Sequence, residues 1–177
     1  MTLKNNTSGR NNVAVGASAL YSNINGGYNV AVGESTLWSN TNGGYSTAIG
    51  PFALYSNING GYNVANGYFS LYGNTTGNYN TAIGNNSLYN NTTGVNNTAN
   101  GNNSLGQNKT GSYNSAYGDS ALSNSITNSN NTAIGRNAGY NASLVLTGSN
   151  NTFLGYNTTY SGLVSNSTAV GANVVLA

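Results

Sequence analysis

The chain has 177 residues, with four Lys or Arg, two Asp or Glu, and neither histidine nor cysteine. Its net charge of +2 lies on scattered cations that form no basic stripe, which argues against nucleic-acid binding through phosphate neutralisation. Without histidine and cysteine, the commonest catalytic bases, thiol nucleophiles and zinc ligands are missing.

Residues 1–11 are a lead-in to the rest of the chain. They lack the apolar centre of a secretory signal, and the sequence contains no apolar run of about 18 residues that would span a membrane. We therefore expect no membrane insertion by this segment. The start is compatible with export by another route, with release from an infected cell, or with excision from a longer protein.

Residues 12–135 are built from a 17-residue repeat that opens with the motif N-V-A-V-G at Asn12. Related motifs start at 29, 46, 63, 80, 97, 114 and 131, and looser copies start at 151 and 167. We number each repeat from this first residue, so that Ala stands at position 3 and Gly at position 5 of every regular copy. Leu stands at position 9 of seven successive copies. A fixed short period is the signature of a solenoid.

The repeat predicts two short strands and two turns. Positions 1 to 4 are rich in Val, Ile and Thr, which favours a strand, and Gly at position 5 ends it. Positions 7 to 10 predict a second strand around the Leu, and the Asn- and Gly-rich positions 11 to 16 predict a turn. About ten such coils would form an all-β parallel roll roughly 45–50 Å long.

Side-chain alternation predicts which positions of the coil face inward. The small Ala at position 3 should lie inside the thin roll opposite the large Leu at position 9. Asn at positions 1 and 12 should form ladders of amide hydrogen bonds along the stack. Positions 2 and 4 should lie on the outer face, where their apolar side chains would need a cover, and a symmetric assembly of further copies is the simplest one.

Residues 136–177 depart from the regular period. The step from the motif at 131 to the next is 20 residues, and the last step is 16. Leu144-Val145-Leu146 adds an apolar segment to this region. We expect irregular terminal coils that continue into a stalk or a chaperone domain beyond Ala177 in a longer native protein.

The recurring N-[VT]-A-[VI]-G run resembles the head repeat of trimeric autotransporter adhesins, the YadA-like heads. The longer pattern N-T-A-I-G-x-x-S-L-Y-x-N-T-T-G, closest at residues 80–94, is similar to repeats in bacteriophage and giant-virus tail fibres and in related bacterial surface fibres. The resemblance covers residues 12–177. It implies a left-handed parallel β-roll assembled as a homotrimer. The period of 17 exceeds that of the usual adhesin-head coil, which implies larger turns on one edge.

Catalysis is not expected from the charged residues. The only carboxylates, Glu34 and Asp119, lie five coils apart, roughly 24 Å along the stack, whereas a glycosidase pair needs ~5–9.5 Å. Serines are plentiful, but no base is present to activate them. We therefore predict that the protein is not an enzyme and that it has no catalytic residue, no metal ligand and no cofactor.

Aromatic residues at position 10 predict a vertical column along one edge of the roll. An exposed strip of this kind, with Asn and Ser beside it, would suit contacts with a glycan or a protein. Ring stacking that stiffens the edge explains the same pattern equally well. The column consists of Tyr21, Trp38, Tyr55, Tyr72 and Tyr89.

Polar or bulky residues interrupt the apolar position 4 at Asn66, Asn100 and Tyr117. If this face lines a threefold axis, each Asn becomes a ring of three amides that could hold water or an anion. A hydrated layer that fixes the register of the chains is the favoured alternative.

These observations predict a non-enzymatic trimeric fibre or adhesin head segment, which attaches multivalently at a cell or virion surface. Its expected partners are two further copies and a glycan or protein on a host, prey or matrix surface, and its expected location is extracellular. A purely structural fibre spacer is the alternative. An ice-binding solenoid is a weaker one, because position 2 mixes Val, Thr and Ser and no T-x-T array is present.

Overall fold

The computed structural model describes residues 1–142, 148–162 and 164–176. The apolar segment Leu144-Val145-Leu146 therefore lies outside the described residues. Within the described ranges the chain forms short strands and turns and no helix. The strands are β1 (Val13–Val15), β2 (Val30–Val32), β3 (Thr47–Ile49), β4 (Val64–Asn66), β5 (Thr81–Ile83), β6 (Thr98–Asn100), β7 (Ser115–Tyr117), β8 (Thr132–Ile134), β9 (Thr152–Leu154), β10 (Thr159–Tyr160), β11 (Thr168–Val170) and β12 (Val175–Leu176).

The strands at positions 2 to 4 of successive coils stack into one parallel sheet. Its order follows the chain from β1 to β9 and ends with β11, while β10 and β12 form a separate parallel pair. Equivalent positions of neighbouring coils are paired in register, as Ala31 of β2 is with Ala48 of β3. The predicted all-β parallel solenoid with a 17-residue repeat is confirmed, with about nine turns rather than ten.

The core is a double column of one small and one large side chain per coil. Ala at position 3 is fully buried from Ala31 to Ala133, and Leu at position 9 is fully buried from Leu20 to Leu122. Positions 2 and 4 point away from this core and are partly or largely exposed. The sequence-based assignment of inner and outer positions is therefore confirmed.

The predicted second strand at positions 7 to 10 is wrong, because this segment is a series of turns. Position 9 has a positive φ in every regular coil, for example 50° at Leu20 and 51° at Leu71. Position 7 also has a positive φ, for example 58° at Ser18. These left-handed residues fold the chain sharply, yet the backbone still bonds to the next coil, as Leu20 N–H donates to the Thr36 carbonyl at 2.9 Å.

The predicted Asn ladder at position 12 is present and lies in the interior. Each side-chain Nδ2 donates to the Oδ1 of the preceding coil, as Asn57 does to Asn40 at 2.8 Å. The same Nδ2 donates to the carbonyl at position 15 of its own coil, which for Asn57 is Gly60 at 2.9 Å. The ladder contains Asn6, Asn23, Asn40, Asn57, Asn74, Asn91 and Asn108.

Position 1 forms a second buried ladder of a different kind. The Nδ2 of Asn80 donates to the Gly94 carbonyl at 2.8 Å, and its Oδ1 accepts from the backbone N–H of Asn97 at 3.0 Å. The position-15 carbonyl therefore accepts from both ladders, since Gly94 also receives the Asn91 side chain. The two ladders fasten each turn to the strand of the same coil and to the coils beside it.

The position-12 ladder stops where Ser125 replaces Asn. Both the Asn108 Oδ1 and the Ser125 Oγ are buried there without a hydrogen-bond partner. We expect Ser125→Asn to restore the missing bond and to stabilise the fold by about 1 kcal/mol, because the buried Asn108 Oδ1 would gain a donor. Thermal unfolding should show a midpoint higher by roughly 2–4 °C. The gain should vanish in an Asn108→Ser background, and an equal gain there would contradict this explanation.

The two ends of the solenoid extend the pattern in different ways. Residues 1–11 repeat positions 7 to 17 of a coil, since Leu3 has a φ of 49° and Asn6 joins the ladder. Near the other end, Gly139 replaces the position-9 Leu. Phe153 of the next coil stands at position 3, where Ala is usual, and its ring fills the space that a Leu would occupy. A Cβ on Gly139 would lie 2.8 Å from this ring. Loss of one core side chain is thus offset by enlargement of its neighbour.

Candidate ligand-binding surfaces

The position-10 aromatic residues form one continuous stack, as their spacing predicts. From Tyr21 through Trp38 and Tyr55 to Tyr89, neighbouring ring centroids are 5.2–5.5 Å apart and nearly parallel, with interplanar angles of 7–11°. Phe69 packs edge-on against two of the rings. Because each ring face lies against the next ring, the column presents mainly ring edges to solvent. Its stiffening role has direct geometric support, and ligand contact at this column stays a prediction.

The first ring of this column carries a cationic neighbour. Lys4 Nζ donates to the Tyr21 hydroxyl at 3.0 Å and lies 5.2 Å from the ring centroid. This hydrogen bond raises the pKa of Lys4 above its ordinary value. The ammonium group therefore keeps its charge at the end of the stack.

The strand face, defined by positions 2 and 4 of the ten-stranded sheet, is an outward surface with a mixed apolar and polar character. Ile49 and Ile83 are 41% and 38% exposed on its position-4 row. Asn66 and Asn100 are exposed in the same row, separated by Ile83, and Asn100 lies directly beside Tyr117 across β6 and β7. The threefold-axis role of Asn66, Asn100 and Tyr117 depends on an assembly and stays a prediction.

The two carboxylates lie in separate surroundings. Asp119 Oδ2 is 3.6 Å from Arg136 Nε, and its Oδ1 accepts from Asn102 at 2.9 Å. Glu34 belongs to a coil near the opposite end. Over the described ranges, no group of three or more Asp, Glu, His or Cys side chains could hold a metal ion.

A second aromatic column, at position 17, is more exposed than the first. The rings of Tyr28, Tyr45, Tyr62 and Tyr79 stack with centroid separations of 4.9–5.0 Å and interplanar angles of 3–14°. Each of these tyrosines is at least half exposed and has a φ of 57–61°. Left-handed backbone favours Asn over a bulky residue, and Asn does occupy position 17 in other coils, such as Asn96 and Asn130.

A groove with a volume of about 490 Å³ runs beside this second column. Tyr rings form one wall, and the position-14 amides form the other. These amides are bonded to each other, with Asn25 Nδ2 on Asn42 Oδ1 at 2.9 Å and Asn42 Nδ2 on Asn59 Oδ1 at 3.0 Å. The groove is lined by Ser8, Arg10, Asn25, Gly27, Tyr28, Asn42, Gly44, Tyr45, Asn59, Gly61, Tyr62 and Asn78.

The floor of the groove is made by glycine at position 16 in three successive coils. Arg10 and Asn78 occupy the same position in the coils before and after Gly27, Gly44 and Gly61, so they close its two ends. The Asn- and Gly-rich positions 11 to 16 predict a turn, and no residue of this groove was predicted as a site. Position 16 is glycine in three consecutive coils and carries a side chain in other coils. This difference was the signal in the sequence that could have indicated the groove.

Comparisons with protein-family models, with characterised proteins and with solved structures gave no match to this chain. The described residues contain no helix that could reach across a bilayer. The resemblance to adhesin heads and tail fibres therefore stays a prediction from the repeat motif alone.

Proposed function

We propose that this chain is a non-enzymatic segment of a trimeric fibre or adhesin head, which attaches to a surface outside the cell or on a virion. The observation that carries the proposal is the strand face. It presents a mainly apolar row over ten strands, from Val15 at 56% exposure to Val170 at 61%, interrupted by Asn66 and Asn100. Exposed apolar surface of this extent favours a protein–protein contact.

A second copy of the same chain is the simplest cover for the strand face. Every coil places positions 2 and 4 on the same face, so a symmetry axis parallel to the stack would bring equivalent rows together along their whole length. Three chains agree with the adhesin heads that the repeat resembles. Three identical sets of turns would then remain outside, and many weak contacts on them would act together at high effective concentration.

The assembly is tested by measuring mass in solution by analytical ultracentrifugation. The unmodified chain should sediment at three times the 18.1 kDa of one chain. Ile49→Lys, on the strand face, should give monomers, because three buried ammonium groups would face one another without partners. The roll itself tolerates polar residues at this position, as Asn66 demonstrates.

The matched control for that variant is Ile58→Lys. Ile58 is 42% exposed and Ile49 is 41% exposed, but Ile58 lies at position 13 in a turn. The control should remain a trimer with unchanged circular dichroism. A monomeric unmodified chain at micromolar concentration would contradict the proposed assembly.

Two alternatives differ in what they predict for the isolated protein. A structural spacer would bind no glycan or cell surface in binding assays. An ice-binding solenoid, the weaker alternative, would use the Thr row at position 2, which includes Thr81, Thr98 and Thr132 in an outward sheet. That row is interrupted by Val64 and Ser115. Thermal hysteresis of the purified chain would identify the ice-binding activity.

A further inference from the structure

The backbone N–H at position 16 is normally bonded to a side chain one coil further on. Gly61 N–H donates to Asn78 Oδ1 at 2.7 Å. Val95 N–H donates to Ser112 Oγ at 3.0 Å, and Ser112 N–H donates to Ser129 Oγ at 3.0 Å. A polar side chain at position 16 of one coil therefore serves as the acceptor for the coil before it.

The groove lacks this arrangement in three consecutive coils. For Arg10, Gly27 and Gly44, the residue at position 16 of the next coil is a glycine, which has no side chain to accept from their N–H groups. Among the described residues, these three N–H groups have no hydrogen-bond acceptor. A Cβ on Gly44 would lie 2.8 Å from the Gly27 carbonyl oxygen and 3.6 Å from Gly27 N, and one on Gly61 would lie 2.9 Å from the Gly44 carbonyl oxygen and 3.6 Å from Gly44 N. The missing side chains would thus stand beside the free donors, and adding them would need a small shift of the neighbouring backbone.

The backbone dihedral angles do not demand glycine at these three places. None of Gly27, Gly44 and Gly61 has a positive φ. Five other coils carry Arg10, Asn78, Val95, Ser112 or Ser129 at the same position. Glycine here therefore exposes donors, and a side chain at these places would need the small backbone shift that the other coils have made.

The groove as a whole is rich in donors and poor in negative charge. Its floor offers three N–H groups in a row, and its walls add tyrosine hydroxyls and the second N–H of each position-14 amide. Arg10 lies at one end, and no carboxylate lines the groove. A complementary ligand is extended, carries oxygen acceptors at the coil spacing, and has apolar ring surface to place against the tyrosine edges.

We propose that this groove binds an extended β-1,4-linked polysaccharide whose chain runs along the solenoid axis. Each sugar of such a chain advances by about one coil spacing and presents hydroxyl and ring oxygens on both edges, so successive sugars meet successive N–H groups. An extended peptide fits poorly, because carbonyls on one side of it recur every ~6.6 Å, whereas the coils recur every ~4.8 Å. The inference rests on the proposed attachment role and names the ligand class for it.

The test fills the groove with the kind of side chain that other coils carry at position 16. In the double variant Gly44→Ser and Gly61→Ser, new hydroxyls should accept from the N–H groups of Gly27 and Gly44, as Ser112 and Ser129 do elsewhere. Cellohexaose and chitohexaose are the probes, with binding to the full chain measured by calorimetry. At least one should bind the unmodified chain and shift the amide NMR signals of Gly27 and Gly44. The double variant should bind it at least about tenfold more weakly, while its circular dichroism spectrum stays that of the unmodified chain.

The matched control is Val95→Ser, which adds the same hydroxyl at position 16 outside the groove floor and should leave sugar binding unchanged. Absence of binding by both sugars would overturn the proposal, as would equal binding by the double variant. Selective binding of a hexapeptide of alternating serine and threonine would also overturn it. Sedimentation of the same samples separates the two proposals. A trimer that binds neither sugar contradicts the groove inference alone, and a monomer that binds one contradicts the assembly alone.

Discussion

Gly67→Ala should destabilise the solenoid strongly, although it exchanges one small residue for another. Gly67 stands at position 5 with a φ of 143°, and a Cβ there would lie 2.5 Å from the Gly84 carbonyl oxygen of the next coil. That backbone region costs an L-residue about 1–3 kcal/mol, and a clash with fixed backbone adds a similar amount. We expect a loss of about 3–5 kcal/mol and a fall of roughly 10 °C or more in the unfolding midpoint.

Circular dichroism during thermal unfolding measures this effect, and Gly73→Ser is its control. Gly73 lies at position 11, where neighbouring coils carry Ser56 or Asn90, so a side chain is compatible with the turn. The control should change the midpoint by no more than a few degrees. Equal midpoints for Gly67→Ala and Gly73→Ser would contradict the close approach of coils at position 5.

Asn57→Ala should have the second large effect, because it interrupts the buried ladder near its middle. The variant leaves the Asn40 Oδ1 and the Gly60 carbonyl without this donor and removes the acceptor of Asn74. Each buried group left unsatisfied costs about 1–3 kcal/mol. We expect a total of about 3–5 kcal/mol, measured by urea unfolding followed by fluorescence of Trp38.

An exposed pair provides the comparison for the ladder. Asn90 Nδ2 donates to Gln107 Oε1 at 2.9 Å on the surface, so water replaces this bond readily in Asn90→Ala. We expect a loss of less than about 1 kcal/mol there. Hydrogen exchange should also distinguish the two variants, with opening of the coils on both sides of residue 57 only in Asn57→Ala. Similar losses in both variants would show that burial does not govern the ladder.

The parts of the fold that repeat with one invariant residue could be predicted from the sequence. Ala48 and Leu54 share a core because each recurs at a fixed phase, and Asn57 could be assigned to a ladder for the same reason. The path of the chain between them could not be predicted. Leu and Tyr disfavour left-handed backbone, so residue type alone does not predict the positive φ values of Leu54 and Tyr45. Contacts between coils impose this conformation against local preference.

The groove escaped prediction for a different physical reason. A free N–H at Gly27 is visible only when its usual acceptor, one coil further on, is known to come from position 16. The sequence Gly26-Gly27 is typical of an ordinary turn. Ser112 and Ser129 show that the side chain at position 16 accepts a hydrogen bond in other coils. The strand face was easier, because outward apolar residues follow directly from alternation along β3.

Uniform coupling between neighbouring coils also determines how such a rod can change length during evolution. Asn57 bonds to Asn40 and Asn74 in the same way that Asn74 bonds to Asn57 and Asn91. In-frame duplication or loss of one complete repeat in the gene would therefore recreate native junctions on both sides. Insertions of other sizes would move Gly67 and its equivalents out of line. The length of the solenoid can therefore change by recombination in steps of ~4.8 Å, and the contacts between coils stay the same.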